Sequence, residues 1–330
     1  MAVPWDEIIR PELAPLVPYA PGLRASQVRE RSGKDVVLKL SSNEHPCGPV
    51  PLALLAMETV LPRLNRYPDG AAVALRRKLA GRLDVPLDVV AVSNGSNEML
   101  RLIAQAVLRP GDEVVFAWPS FVVYPMVTAL FGATGVRVPL AAGDIHDLDA
   151  MLATITLRTR IVFLCNPNNP TGTIYTKEEF ERFMAAVPEH VLVVVDEAYF
   201  EFATNPEYPD ASQWFDGIRP LVVARTFSKI YSLAGIRVGY AVMPAKLADA
   251  INKVREPFNV NTVAQIGAYY SLDDEEEVAR RREENRAGRE LLSACFGRLG
   301  MTYAKSVTNF VYVHSARPRE LFEALLNEGV

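Results

Sequence analysis

From about residue 75 the chain alternates two kinds of stretch. Segments with apolar residues at helical spacing give way to short runs rich in Val, Ile and Phe, which predicts βα units around a buried sheet. The candidate strands are residues 89–93, 113–117, 160–165, 191–195, 221–224 and 238–243. Several are apolar on both faces, the pattern of a mostly parallel sheet covered by helices on each side. The fold class is therefore α/β.

The ends read differently from the middle. Up to about residue 40 the chain carries Pro4, Pro11, Pro15, Pro18 and Pro21 and reads as an irregular arm with at most short helices. After Met243-Pro244 the pattern is mostly helical, through 245–254, 261–272 and the charged stretch 273–289, and a second, smaller domain begins there. In that stretch Glu276 precedes Arg280 and Glu277 precedes Arg281 by four residues, which predicts a solvated helix face laced with surface ion pairs.

Composition narrows the class. With 49% hydrophobic and 22% charged residues in 330, the chain has the balance of an ordinary globular protein. A net charge of −4 gives no overall positive field toward nucleic acid or an anionic membrane. Cys47, Cys165 and Cys295 form no C-x-x-C pair, and His45, His146, His190 and His314 are scattered, so neither a disulfide framework nor a metal cluster is expected. No apolar run approaches membrane-spanning length, and the opening residues carry no basic and apolar export pattern, so the expected location is the cytoplasm.

Candidate chemistry gathers in four loops, each following a candidate strand. The decisive segment is Thr226-Phe-Ser-Lys-Ile-Tyr-Ser-Leu-Ala-Gly-Ile-Arg-Val-Gly-Tyr240. A lone lysine is more often a surface residue. At the carboxyl end of a buried strand, however, Lys229 stands where open α/β sheets bind ligands, and desolvation there lowers an amine's pKa. Thr226, Ser228 and Arg237 offer two hydroxyls and a guanidinium fork suited to a phosphate beside it. The run 191–195 leads straight into Asp196, with Tyr199 three residues on. Asp196 reads either as a helix cap or ion-pair partner, or as the acceptor for a protonated pyridine nitrogen, with Tyr199 donating to a ring oxygen. Asn166-Pro-Asn-Asn-Pro-Thr-Gly172 holds three amides in a tight turn, Asn169 being the candidate ligand. Asn94-Gly-Ser-Asn-Glu98 joins strand to helix, where Ser96 and Asn97 either cap the helix or meet a phosphate at its N-terminus. Together these loops supply the set that pyridoxal phosphate requires.

On the Asn-Pro-Asn-Asn-Pro-Thr-Gly loop, Asp196-Glu-Ala-Tyr199 and Ser228-Lys-x7-Arg237, the sequence resembles the fold type I, class I/II aminotransferases, most closely the histidinol-phosphate aminotransferases. The resemblance runs from Tyr19 to the end of the chain. It implies an arm (1–40), a large pyridoxal-phosphate-binding domain (41–244) with a mostly parallel central sheet, and a smaller α+β domain (245–330). It implies that Lys229 holds the cofactor as an internal aldimine, that Asp196, Tyr199 and Asn169 contact its ring, and that Phe121 stacks on it. Thr226, Ser228, Arg237, Ser96 and Asn97 are implied at its phosphate. Tyr67 is implied to reach a neighbouring subunit's cofactor across a homodimer, and Tyr19 and Asn43-Glu44 to close over substrate together with Tyr67 and Asn169. Relatives of this kind continue past a position like Val330 into a segment carrying a substrate-gripping arginine.

The implied activity is ping-pong transfer between histidinol phosphate and glutamate/2-oxoglutarate, a step of histidine biosynthesis; the Arg255-Glu-Pro-Phe-Asn-Val-Asn261 segment is typical of that subfamily. Aromatic amino acid aminotransferases, a decarboxylase on the same fold and a non-enzymatic pyridoxal-phosphate-binding regulator are the competing readings. The proline-broken arm leaves no room for the basic recognition helix that such a regulator needs.

Overall fold

The computed structural model describes residues 5–14 and 16–330; Met1 to Pro4 and Pro15 lie outside the described residues. Seven strands form one sheet: β1 (Val90–Ser93), β2 (Glu113–Trp118), β3 (Thr134–Pro139), β4 (Thr159–Cys165), β5 (Leu192–Asp196), β6 (Leu221–Thr226) and β7 (Gly239–Val242). Their spatial order is β1-β7-β6-β5-β4-β2-β3, with β7 antiparallel to both its neighbours and the other pairings parallel. All six expected strands are present within one or two residues of their expected ends.

β3 is the strand missing from the sequence reading. It is an edge strand of sequence Thr-Gly-Val-Arg-Val-Pro in which only Val138 is fully buried, so no apolar run marks it. Its Gly135 packs closely on the sheet: a Cβ there would lie 3.0 Å from the Phe116 ring of β2, and that ring would have to give way.

The inner strands show why the chain reads as apolar on both faces. Val114, Phe116, Ile161, Phe163 and Val194 point to the layer containing the helices Gly95–Val107, Val123–Leu130 and Ala245–Val254. Val115, Ala117, Val162, Leu164, Val193 and Val195 alternate with them toward Phe180, Phe183 and Met184 of the helix Lys177–Ala186. The helix Lys177–Ala186 starts on a reciprocal cap, the Thr176 hydroxyl accepting from Glu179 N–H while the Glu179 carboxylate accepts from Thr176 N–H.

In the C-terminal third, the helices Ala245–Val254, Thr262–Ser271 and Glu275–Arg298 follow the expected segments, and a single bridge pairs Tyr303 with Val313. The charged helix departs from its expected solvated face. Arg281 is only 2% exposed: it pairs with Glu277 at 2.8 Å and donates to the carbonyls of Ile230 and Gly48 and to Ser232 Oγ. Arg280 pairs with Glu277 and Glu284, not with Glu276. Spacing along a helix says which side chains are neighbours but not which face meets the rest of the chain.

A second buried ion cluster braces the sheet behind the site. Arg225 of β6 donates to Glu197 at 2.8 Å and to Asp210 at 2.6 Å, with its guanidinium 3.5 Å from the centre of the Phe200 ring. Glu197 also accepts from Tyr208 Oη and from Ala211 N–H. Removing the cation would leave a fully buried carboxylate without its counter-charge. Arg225→Ala is expected to destabilise the chain by about 3–5 kcal/mol, read as a lowered urea midpoint at unchanged slope; a loss under about 1 kcal/mol would show that the cluster is not stabilised as a buried ion pair.

Candidate active site

Because β1, β2, β4, β5 and β6 run in one direction, the loops that leave them emerge at the same sheet edge, where open α/β sheets bind ligands. β7 runs the other way, so the residues before it reach this edge too: Gly239 pairs with both Ser93 and Thr226, and Arg237 lies two residues upstream. The fold thus assembles side chains separated by well over a hundred residues in sequence.

Asp196 ends the central strand β5, between Cys165 of β4 and Ala224 of β6. It is 2% exposed, and burial lifts its carboxyl to about 6 against the pull of a hydrogen bond from Tyr124 and of the Lys229 charge. Tyr124 Oη donates to Oδ2 at 3.1 Å, while the buried Oδ1 has no protein partner among the described residues.

Lys229 follows β6. Its Nζ donates to the carbonyl of Ser42 at 3.0 Å and lies 5.5 Å from the centre of the Tyr199 ring. Desolvation lowers its pKa to about 8, with Arg237 acting in the same direction and Glu44 and Asp196 against it. An appreciable fraction of this amine is therefore neutral near pH 7.5. Tyr199 is buried, and its hydroxyl accepts from Asn43 Nδ2 at 2.9 Å and from Asn169 Nδ2 at 3.5 Å. Burial pushes that phenol upward, so it stays protonated. Ser42 and Asn43 both adopt left-handed backbone conformations (φ 67° and 51°), strain located where the chain touches Lys229 and Tyr199.

A second cluster lies at the start of the helix Gly95–Val107. Thr226 Oγ1 and Ser228 Oγ are 3.0 Å apart, and Arg237 reaches Ser228 Oγ at 3.4 Å and the carbonyl of Asn94 at 3.3 Å. Gly95 has φ +80°, and a Cβ there would come within 2.7 Å of the Arg237 guanidinium. A side chain at this left-handed position would be strained and would push the guanidinium away from the helix start. Ser96 is buried in this cluster, whereas the Asn97 side chain is exposed. Asn94 provides no side-chain cap, so the first-turn N–H groups face the same cradle without one.

The other expected residues divide. Phe121 lies edge-on to Tyr124 at 5.8 Å, within the same edge of the sheet. Asn43 is in the site through Tyr199. Tyr19 is 59% exposed, and Tyr67 is 83% exposed and stacked on Phe258 at 4.7 Å, so neither joins the cluster around Lys229 by a hydrogen bond. Two contributors escaped the sequence reading. Ser42 acts through its carbonyl, which any residue type would offer, and Tyr124 acts on a carboxylate 72 residues away. No local pattern encodes either contact.

Pyridoxal phosphate fits this arrangement on two independent features. The orphaned, desolvated Asp196 Oδ1 is an acceptor suited to a protonated ring nitrogen, and the Gly95–Arg237 cradle brings a cation, two hydroxyls and a helix N-terminus to one point suited to a phosphate.

A family model for aminotransferase class I and II matches residues 35–330. The chain belongs to this family. It is 45% identical to histidinol-phosphate aminotransferase 2 of Pseudomonas aeruginosa over 98% of this chain and 88% of that protein. It is 42% identical to histidinol-phosphate aminotransferase 1 of Nitrosococcus oceani over 96% of this chain and 85% of that one. Among solved structures, histidinol-phosphate aminotransferase from Sinorhizobium meliloti in complex with pyridoxal-5'-phosphate superposes with a TM-score of 0.89 at 27% identity, covering 97% of this chain and 87% of that one. The fold of this aminotransferase is thus shared along nearly the whole chain, in line with the fold type I class expected from sequence.

The buried Asp196 carries a stability cost with a defined pH window. Its pKa is 3.8 in an unfolded chain and about 6 here, so the folded state binds the extra proton between these values and stability falls as pH rises through them. Asp196→Asn is expected to stabilise the ligand-free chain by about 3 kcal/mol above pH 6 and to lose that gain near pH 4. Denaturant midpoints measured from pH 4 to 8 check this; a gain independent of pH would contradict it.

Proposed function

We propose that this chain is a pyridoxal-phosphate-dependent aminotransferase acting on histidinol phosphate, with glutamate/2-oxoglutarate as the second pair. The observation that carries the reading is the meeting at one sheet edge of a partly neutral amine, Lys229, and a desolvated carboxylate with one free oxygen, Asp196. Relatives bearing that name at 41–45% identity over most of the chain support the substrate.

When bound, pyridoxal phosphate supplies an electron sink for the pair released at the substrate carbon. Lys229 Nζ would anchor the cofactor, and as a free amine it would take the proton from the substrate carbon and return it. Asp196 Oδ1 holds the ring nitrogen in its cationic form. Tyr199 Oη and Asn169 Nδ2 would hold the ring oxygen, and Phe121 would cover the ring. Thr226, Ser228 and Arg237, with Ser96 and Asn97 at the helix start, hold the phosphate. Asn43 and Tyr19 bound the substrate side.

Two further parts belong to this reading. The arm (1–40), large domain (41–244) and small domain (245–330) form one working division: Arg31 pairs with Glu323, Lys34 with Glu328 at 2.9 Å, and Leu38 N–H donates to the Gly329 carbonyl, so the arm is tied to the C-terminal segment. The chain also works as a homodimer. Leu54, Leu55, Leu61, Leu64 and Tyr67 are all exposed on one stretch of chain, an apolar surface that a second copy would bury while carrying Tyr67 to the neighbouring site.

With pyridoxal phosphate added, the wild-type protein is expected to develop an absorbance band near that of a protonated imine and to bleach it with histidinol phosphate. Lys229→Ala is expected to lose the band and at least about 10³-fold in turnover. Turnover of phenylalanine or tyrosine with none of histidinol phosphate would replace the substrate by an aromatic amino acid. Light scattering is expected to give twice the chain mass, and the paired change Leu55→Glu with Leu64→Glu to give the monomer; a wild-type monomer at micromolar concentration would remove the dimer.

A further inference from the structure

Tyr124 is a fully buried phenol that the roles above do not use. It lies at the first turn of the helix Val123–Leu130, its N–H donating to the Phe121 carbonyl, and its ring is stacked on Phe163 of β4 at 4.7 Å and 10° between planes. Phe121 meets the same ring edge-on at 5.8 Å. Held between these two rings, Tyr124 Oη donates to Asp196 Oδ2, and the other carboxylate oxygen is the one left without a protein partner. Burial pushes the phenol well above its ordinary value, so this hydroxyl keeps its proton near neutral pH and can donate it to the carboxylate.

We infer that Tyr124 is the positioning residue of the cofactor site, fixing the Asp196 carboxylate in its charged form with Oδ1 free for the ring nitrogen while bracing the aromatic plate Phe121 with the same ring. This rests on the cofactor reading above and goes beyond it in assigning a residue outside the set of cofactor contacts. A hydrogen bond donated to Oδ2 favours the carboxylate over the carboxylic acid, and therefore favours the cationic over the neutral ring nitrogen beside Oδ1. Without the phenol, the proton between ring and carboxyl shifts toward the carboxyl and the ion pair weakens.

The test compares binding of pyridoxal phosphate with binding of its analogue in which the ring nitrogen is replaced by C–H, by titration of the cofactor-free protein at pH 7.5. Wild-type protein is expected to prefer the nitrogen compound. Tyr124→Phe keeps the ring packing and is expected to reduce that preference by about tenfold or more, the size of a hydrogen bond to a charged group, with little change in affinity for the carbon analogue. Tyr124→His restores an N–H donor on a smaller ring and is expected to give an intermediate preference; it carries the comparison if the phenylalanine form does not fold. A purely structural tyrosine would weaken both compounds in proportion, and an unchanged preference in either variant overturns the inference. A wild-type preference that survives Tyr124→Phe removes this role alone, whereas no wild-type preference for the nitrogen compound removes the Asp196 role as well. In an Asp196→Asn background, Tyr124→Phe is expected to have no further effect on the ratio; an undiminished effect there would place the phenol's action elsewhere.

Discussion

Asp196 is an acid at the end of the central strand of a seven-stranded sheet, flanked by Cys165 and Ala224 and closed off from water. Such a group costs stability in the ligand-free fold and is held there by one phenol on one of its two oxygens. The cost and the function have one origin. A carboxylate without hydration binds a cationic partner far more strongly than one in water, because the intervening dielectric is low. The remaining parts of the site are arranged around the position such a partner would take.

The arrangement follows from strand direction. Parallel strands deliver the Asn166–Gly172, Asp196–Tyr199 and Thr226–Lys229 segments to one edge, and the reversal of β7 brings in Arg237 from the other direction. Close approach then demands unusual backbone. Arg237 itself has φ 61°, its guanidinium lies against Gly95, and a Cβ on Gly239 would strike the backbone at Gly95 and Ser96. Ser42 and Asn43 are likewise left-handed where they meet Lys229 and Tyr199. Strain of this kind persists only when the surrounding packing holds it, and here buried ion clusters lie close behind. Glu197–Arg225–Asp210 holds the residues next to Asp196 and Thr226, and Arg281 ties the long C-terminal helix to the carbonyls of Ile230 and Gly48.

The comparison with relatives and the geometry support each other through different routes. Similarity along nearly the whole chain gives the family and the fold. The orphaned oxygen of Asp196, the lowered pKa of Lys229 and the glycine-backed cation cradle are properties of these side chains in this packing, and they call for a flat cationic ring with a phosphate whatever the relatives are named.

Sequence alone determined six of the seven strands, because strands buried on both faces read as apolar runs and the chain shows six of them. It also singled out Lys229, Asp196 and Arg237 as candidate site residues, since they sit in short motifs directly attached to those runs. Tertiary structure decided what periodicity does not encode. The edge strand β3 has water on too much of its surface to need an apolar pattern. Arg281 belongs to a charged stretch whose spacing is that of a solvated face, and it became buried because its neighbours across the fold offer three oxygen acceptors besides Glu277. Tyr124 and the Ser42 carbonyl entered the site through contacts spanning 72 and 187 residues. Pairings at such separation are set by the three-dimensional path of the chain, so they leave no mark on the local order of residues.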